Sequence, residues 1–316
     1  MPLLVTIIIP TWNGADRVTA TLEALAVQKC QRNLFEVIIV DNCSDPPLRI
    51  TEDHPGVALL KQTGIGCSVV VEHRQGLLYA RLRGILEASS EIVCFLDDDN
   101  IPESDYVAEG IKAFSDASVG LLVSRVFPKY EESPPYSIAR REHLLAINYK
   151  LGESTVDFGA SATLAPTVGA GMWLLRQAFL QGVPWENPED LLSDRKGAQL
   201  VSGGDVEIGY FIGKAGYRRV YVPTLRLWHL IPRRRVGTYY VCRLIIGIVR
   251  SEITLKKRHM AQKHTMMRKL EAISKMLLAL LALPFLLLKR DGGRESLMVL
   301  ISRYAQILGP YKKYQV

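Results

Sequence analysis

A mostly parallel α/β sheet flanked by helices, with a basic helical appendage after it, is the fold class this 316-residue chain predicts. Three observations predict it. β-Branched apolar runs alternate with stretches of helical periodicity along the first 125 residues, the pattern of repeated β-α-β units. The composition, 48% hydrophobic and 22% charged, belongs to a globular chain long enough to bury a sizeable core, and excludes a disordered or fibrous one. The charge is also divided. Residues 1–225 carry 20 Lys and Arg against 28 Asp and Glu, a net of −8, whereas residues 226–316 carry 19 against 4, a net of +15. An acidic front and a basic tail suggest two jobs, the tail meeting something anionic.

The elements follow in order. Val5–Ile9 is a continuous apolar run, read as a strand buried on both faces and ended by Pro10. Residues 17–28 place Val18, Leu22, Leu25 and Ala26 on one helical face. Phe35–Val40 is a second buried strand, closed by Asp41, and Val69–Val71 a third. Gly76 opens a helix to Ala88, with Leu78, Leu82, Ile85 and Leu86 on one side. Ile92–Leu96 is a fourth strand running into Asp97, Asp98 and Asp99. A helix from Pro102 to Phe114 and a strand at Val119–Val123 come next. Prolines punctuate 128–168, which reads as loops and short elements. Val168–Arg176 reads as a strand, Gly204–Ala215 as a helix capped by Gly216, and Arg218–Val222 as a late strand.

Residues 236–288 read as helical. A basic stretch (Lys256, Lys257, Arg258, Lys263, Arg268, Lys269) leads into Met276–Leu288, 13 residues without a charge between Lys275 and Lys289-Arg290. At ~1.5 Å per residue this run spans roughly 20 Å against a hydrocarbon core of ~30 Å, too short to cross a bilayer. Two readings stand: a helix packed on its own domain, or one lying in the membrane surface, which apolar residues around its circumference and basic flanks favour. Contact with an anionic membrane through 250–290 is expected, and nucleic acid is not. The five cysteines, Cys30, Cys43, Cys67, Cys94 and Cys242, are scattered without a C-x-x-C pair, so neither zinc nor a disulfide framework is expected. The N-terminus lacks a signal peptide's basic n-region. A cytoplasmic protein, peripheral at the inner face of the cell membrane, is expected.

Ligands of an open parallel sheet bind beyond the carboxyl ends of its strands. The polar clusters fall there: Thr11-Trp12-Asn13, Asp41, and Asp97 to Asp99. Asp41 is suited to accept an N–H from a base edge. Three consecutive carboxylates repel one another unless a cation joins them, and hard oxygen ligands suit Mg²⁺ or Mn²⁺ bridging a diphosphate. A lone Asp after a strand is more simply a helix N-cap.

Five stretches then carry a resemblance: Thr6–Asn13, Val40–Ser44, Gly76–Gly84, Phe95–Asp99 and Gly203–Arg218. In that order they resemble family-2 inverting glycosyltransferases of the Rossmann-like GT-A fold, over about residues 5–230, and the chain is similar to bacterial polysaccharide-biosynthesis members. The resemblance implies a catalytic domain over 1–230, with a nucleotide-sugar half at 1–125 and an acceptor half at 126–230, and a basic helical region over 231–316. It implies donor contacts at Pro10, Thr11, Asn13, Asp41, Gly76, Arg81, Asp97 and Asp98, with Asp97 and Asp99 as the D-x-D element and Asp99 the direct metal ligand. Asp205 matches the catalytic base. Glu207 is the runner-up, because Gly204 stands where the family usually has Glu.

His229 falls where a family histidine completes the metal shell, although a histidine among apolar neighbours is more often structural. Arg233, Arg234 and Arg235 suit either a phosphate clamp or a solvated loop. Gly171 and Trp173 fall on the acceptor side, where Trp173 either stacks on a sugar or packs in the core. The implied reaction is metal-dependent, inverting, non-processive transfer from a nucleotide-diphosphate sugar, a UDP-sugar foremost, to a glycan or lipid-linked acceptor. A degenerate scaffold that binds nucleotide or membrane is the alternative. A sugar nucleotidyltransferase ranks lower, because Pro10-Thr11-Trp12-Asn13 is no glycine-rich phosphate loop.

Overall fold

The computed structural model describes residues 3–47, 54–197, 199–260, 266–287 and 291–311. Its strands are β1 (Val5–Thr11), β2 (Phe35–Asn42), β3 (Gly66–Glu72), β4 (Ile92–Phe95), β5 (Asn100–Pro102), β6 (Val119–Tyr130), β7 (Val156–Asp157), β8 (Met172–Leu175) and β9 (Arg218–Ile231). Its α-helices are α1 (Ala15–Ala26), α2 (Pro55–Gln62), α3 (Leu77–Glu87), α4 (Tyr106–Ala113), α5 (Tyr136–Ala139), α6 (Arg176–Gly182), α7 (Gly204–Lys214), α8 (Thr238–His259), α9 (Met266–Leu281), α10 (Leu283–Leu287) and α11 (Gly292–Leu308).

The chain forms two compact units. The first comprises residues 1–129, 146–191 and 204–230, and the second 130–145, 192–203 and 231–316. Segments 130–145 and 192–203, expected in the acceptor half, therefore group with the C-terminal helices.

The first unit holds one mixed sheet, ordered β3-β2-β1-β4-β8-β6-β9-β5, with β7 also on β9. The β3-β2-β1-β4 half is parallel, as the apolar runs predict, but β3, expected to be buried, is a partly exposed edge strand. Ile8, Ile38, Val40, Val93 and Phe95 form a core with Leu78, Leu82 and Ile85 of α3. Side chains alternate along a strand, so Ile7, Ile9, Val37 and Ile39 point the other way, and they are equally buried. Gly84 allows α3 to close on β1: a Cβ there would lie 2.3 Å from Ile8.

Beyond β4 the sheet changes character. β8 runs antiparallel to both β4 and β6. Four expected boundaries move, the first being the strand expected at Val119–Val123, which runs on to Tyr130. The helix expected from Pro102 begins only at Tyr106, because Asn100–Pro102 pairs with Leu227–His229. The late strand continues past Pro223 to Ile231. The strand expected at Val168–Arg176 shrinks to Met172–Leu175.

In the second unit α8 and α9 both pack against α11, a helix the sequence reading omitted. Arg141 anchors α11 through two bonds to Glu295, at 2.6 and 2.5 Å. The helical stretch expected over 236–288 is divided into α8, α9 and α10, with Pro284 in the first turn of α10, where its missing N–H costs no bond. Lys263, Leu288, Lys289 and Arg290 lie outside the described residues. Among the described residues no helix is long and apolar enough to cross a membrane.

Candidate active site

The parallel half of the sheet brings the polar strand ends together. Thr11 and Asp41 are register partners at the ends of β1 and β2. The turn after β2 is built by its own side chains. Ser44 N–H donates to Asp41 Oδ1 at 3.1 Å, and Asn13 N–H donates to Ser44 Oγ at 2.9 Å. Asn13 takes a positive φ of 50°, and its Oδ1 accepts from Asp45 N–H at 2.8 Å. Asn42 Oδ1 accepts the Gly76 N–H at 2.7 Å, which ties the start of α3 to the end of β2. Pro10, Asn13, Asp41 and Gly76 thus frame one end of the parallel strands.

The three consecutive aspartates take different partners, which relieves the repulsion they would suffer side by side. Asp98 is buried. It accepts from Thr11 Oγ1 at 2.6 Å and from Arg17 Nε and Nη2 at 3.2 and 2.8 Å. Burial, reinforced by neighbouring Asp99, pushes the Asp98 carboxyl up to about 6, while Arg17 and Thr11 oppose that rise. The expected donor contact of Asp98, and the hydroxyl proton of Thr11, are therefore committed within the protein. Arg17 was not foreseen. A cation in the first turn of α1 opposes the helix dipole, and that mismatch is the signal that it serves a partner elsewhere.

Gly14 seals this cluster. A Cβ at Gly14 would lie 2.0 Å from Asp98 Oδ2 and 2.3 Å from Thr11 Oγ1. Gly14→Ala is expected to destabilise the chain by about 1–3 kcal/mol, the usual cost of overpacking. Urea unfolding of the two proteins checks this, and an unchanged midpoint would show that the cluster yields.

Asp99 turns toward β9. Its Oδ1 lies 3.4 Å from His229 Nε2 and accepts from Asn100 Nδ2 at 3.3 Å. The Asn100–His229 register of β5 and β9 makes the meeting possible. Asp97 is half-buried in the turn, where its N–H donates to Asn100 Oδ1 at 3.0 Å. Among the described residues no three His, Cys, Asp or Glu side chains are gathered to hold a metal ion. Of the expected Asp97, Asp99 and His229, the structure brings Asp99 and His229 together and leaves Asp97 in the turn. A carboxylate beside an imidazole would suit a divalent ion, since such ions are often held by one or two protein ligands plus substrate.

Asp205 opens α7. Its Oδ2 accepts the Gly169 N–H at 2.7 Å and its Oδ1 the Val206 N–H at 2.8 Å. Arg81 lies against the same glycine: a Cβ on Gly169 would meet Arg81 Nη2 at 2.3 Å. Arg81 is itself buried, with its guanidinium 5.3 Å from the Phe95 ring centre. Arg81 and Asp205, distant in sequence, therefore flank one backbone segment. Asp205 is half-exposed, whereas Glu207 is only 1% exposed. A base must reach its substrate, and Asp205 is the more accessible of the two.

Two acceptor-side expectations are corrected. Trp173 is 0% exposed, and its Nε1 donates to Tyr106 Oη at 2.9 Å, so it packs in the core. Gly171 adopts φ +69° and is walled in: a Cβ would meet Leu227 at 2.4 Å, Tyr106 Oη at 2.6 Å and Ser124 Oγ at 2.8 Å. Both are structural. Arg233, Arg234 and Arg235 form a 3₁₀ turn of the second unit, where Arg233 pairs with Glu132 at 2.7 Å.

Residues 6–182, more than half the chain, match the family described as glycosyl transferase family 2. Glycosyltransferase AglE of Haloferax volcanii is 27% identical over 216 residues, which cover 67% of this chain and 62% of that protein. This chain thus spans less than two thirds of that relative. The uncharacterized glycosyltransferase YfnE of Bacillus subtilis is 31% identical over 131 residues, 40% of this chain and 32% of that protein. Among solved structures, the mannosyltransferase PcManGT of Pyrobaculum calidifontis, in complex with GDP-Man and Mn²⁺, superposes with a TM-score of 0.61 at 19% identity. That match covers 98% of this chain and 88% of that one. Staphylococcus aureus TarS 1-349 in complex with UDP superposes with a TM-score of 0.51 at 14% identity, over 96% of this chain and 90% of that one. These likenesses show the GT-A fold.

Proposed function

The chain belongs to glycosyl transferase family 2, and from that premise we propose that it moves a sugar from a nucleotide-diphosphate donor to an acceptor hydroxyl with inversion at the anomeric carbon. The observation that carries the reading is the half-exposed Asp205 carboxylate, fixed by the Gly169 and Val206 N–H groups beside Arg81. Asp205 removes the proton from the acceptor hydroxyl as that oxygen attacks the anomeric carbon. The bond from that carbon to the diphosphate oxygen breaks, and its electron pair leaves with the nucleoside diphosphate. One displacement inverts the configuration and needs no covalent intermediate.

Asp41, beside Thr11 at the strand ends, is the acceptor for a base N–H. The Asp99–His229 pair would hold a divalent ion, Mn²⁺ in preference to Mg²⁺ because an imidazole nitrogen suits transition ions. When bound, such an ion neutralises charge on the leaving diphosphate. The donor in this reading is a UDP-sugar first and a GDP-sugar second. The acceptor is a glycan or a lipid-linked hydroxyl at the cytoplasmic face of the cell membrane, extended once per encounter.

Calorimetric titration of UDP, GDP and dTDP, with and without Mn²⁺, tests the donor site. One nucleotide is expected to bind with metal present, and Asp99→Asn to weaken it at least tenfold. An absence of nucleotide binding under every condition would favour the scaffold reading. Incubation with the matching donor sugar then tests transfer, with product stereochemistry read by NMR; retention would overturn the single displacement.

A further inference from the structure

Helix α9 leaves an apolar face uncovered within the second unit. Met266, Leu270, Leu277 and Leu281 recur at spacings of four, seven and four, one side of a helix. They are 71%, 54%, 54% and 74% exposed, and Met267 and Leu278 widen the stripe. Ala272, on the opposite side, is 3% exposed, and α9 packs against α11. The stripe is thus no part of the unit's own core, and a contiguous exposed apolar face of this kind marks an interaction surface. It begins ten residues before the run at Met276 that the sequence singles out.

Charge indicates what covers it. Lys256, Arg268, Lys275 and Arg303 line a cleft of α8, α9 and α11 together with only two carboxylates, Glu252 and Glu271. Those two carboxylates already pair with Lys256 and Lys275. Residues 226–316 as a whole carry 19 basic and 4 acidic side chains. A 16-residue helix with one apolar side and cations on its other side cannot span a bilayer, but it matches the headgroup boundary of an anionic one.

We propose that α9 lies in the plane of an anionic lipid surface, with Met266, Leu270, Leu277 and Leu281 among the acyl chains and Arg268 and Lys275 among the lipid phosphates. This docking stands apart from the transfer chemistry, which uses other residues of the first unit. The test is sedimentation of the full chain with vesicles of 30% phosphatidylglycerol in phosphatidylcholine, against phosphatidylcholine alone, at 0.1 and 0.5 M NaCl. Binding to the anionic vesicles is expected to be at least tenfold tighter than to the neutral ones and to persist in part at 0.5 M salt, since apolar insertion is not screened. Leu270→Glu with Leu277→Glu is expected to weaken it at least tenfold, with nucleotide binding unchanged. These positions are exposed, so the fold should survive, and its thermal midpoint is read alongside.

Arg268→Glu with Lys275→Glu, a second variant, is expected to abolish the preference for anionic over neutral vesicles. Equal sedimentation of wild type and the leucine variant would overturn the proposal. So would a lipid-independent dimer that the leucine substitutions dissociate, or equal binding to duplex DNA that is lost at 0.5 M salt.

Discussion

Asp205→Asn is expected to lower the turnover of sugar transfer by roughly 10²–10⁴-fold, the range contributed by a positioned general base, while leaving donor affinity within about twofold. The split follows from where the residue sits. Asp205 is at the start of α7, whereas the nucleotide end of the site is framed by Thr11, Asp41 and Asp99 at other strand ends. An amide keeps one oxygen for Gly169 N–H or Val206 N–H but not both, so the fold loses about 1 kcal/mol for the missing bond. A loss of turnover without a matching loss of stability is therefore the signature of a base. Initial rates across donor concentrations, with urea unfolding of the same samples, separate the two effects. Unimpaired turnover in the Asn variant would sink the assignment. Glu207→Gln serves as the contrast: it is buried in α7, so its effect is expected in the unfolding midpoint.

The parallel half of the fold was legible because its signal is local. Val5–Ile9 and Phe35–Val40 are apolar on both faces, and each ends in a polar residue that the register then places beside its neighbour. The polar ends of these strands were legible for the same reason. In the antiparallel half the strands at Val119–Val123, within Val168–Arg176 and from Arg218 were expected, but their direction and partners were not, because pairing between distant segments leaves little trace in either one. Asn100–Pro102 reads as the approach to a helix, and only the returning strand at 227–229 makes it β-structure. That return decides which of three identical carboxylates meets His229. The family resemblance implies Asp97 with Asp99, while the structure turns Asp98 to Arg17 and gives Asp99 to the histidine. Gly169 illustrates the same limit. Its N–H to Asp205 and its contact with Arg81 join three segments that no periodicity links.

Arg219 is the residue whose loss is expected to damage the fold most. It is 0% exposed, on β9 between the exposed loop residues and α7. Its guanidinium donates to the carbonyls of Phe158 at 3.2 Å, Gly159 at 3.3 Å, Ser161 at 3.0 Å and Thr163 at 2.7 Å, and to Gly209 of α7 at 3.3 Å. Burial pulls its pKa below the ordinary guanidinium range, with Asp157 opposing, yet a guanidinium stays charged in any folded protein. The site was readable in principle: alternation along β9 sets Arg219 on the same side as buried Tyr221, which is no place for an unpartnered cation.

Arg219→Met keeps much of the volume and removes every donor, leaving five carbonyls to find others. Leaving a buried carbonyl unsatisfied costs about 1–3 kcal/mol, so losing several at once removes a large share of the ~5–15 kcal/mol that holds a domain together. Arg219→Lys is expected to recover little of this, since one ammonium has three donors and no planar fork to reach a ring of carbonyls. Urea unfolding followed by fluorescence checks both variants. A midpoint shift worth under 1 kcal/mol for Met would mean that the loop at 158–163 rearranges to satisfy itself. A wild-type midpoint for Lys would mean that charge, and not the fork, is what the loop requires.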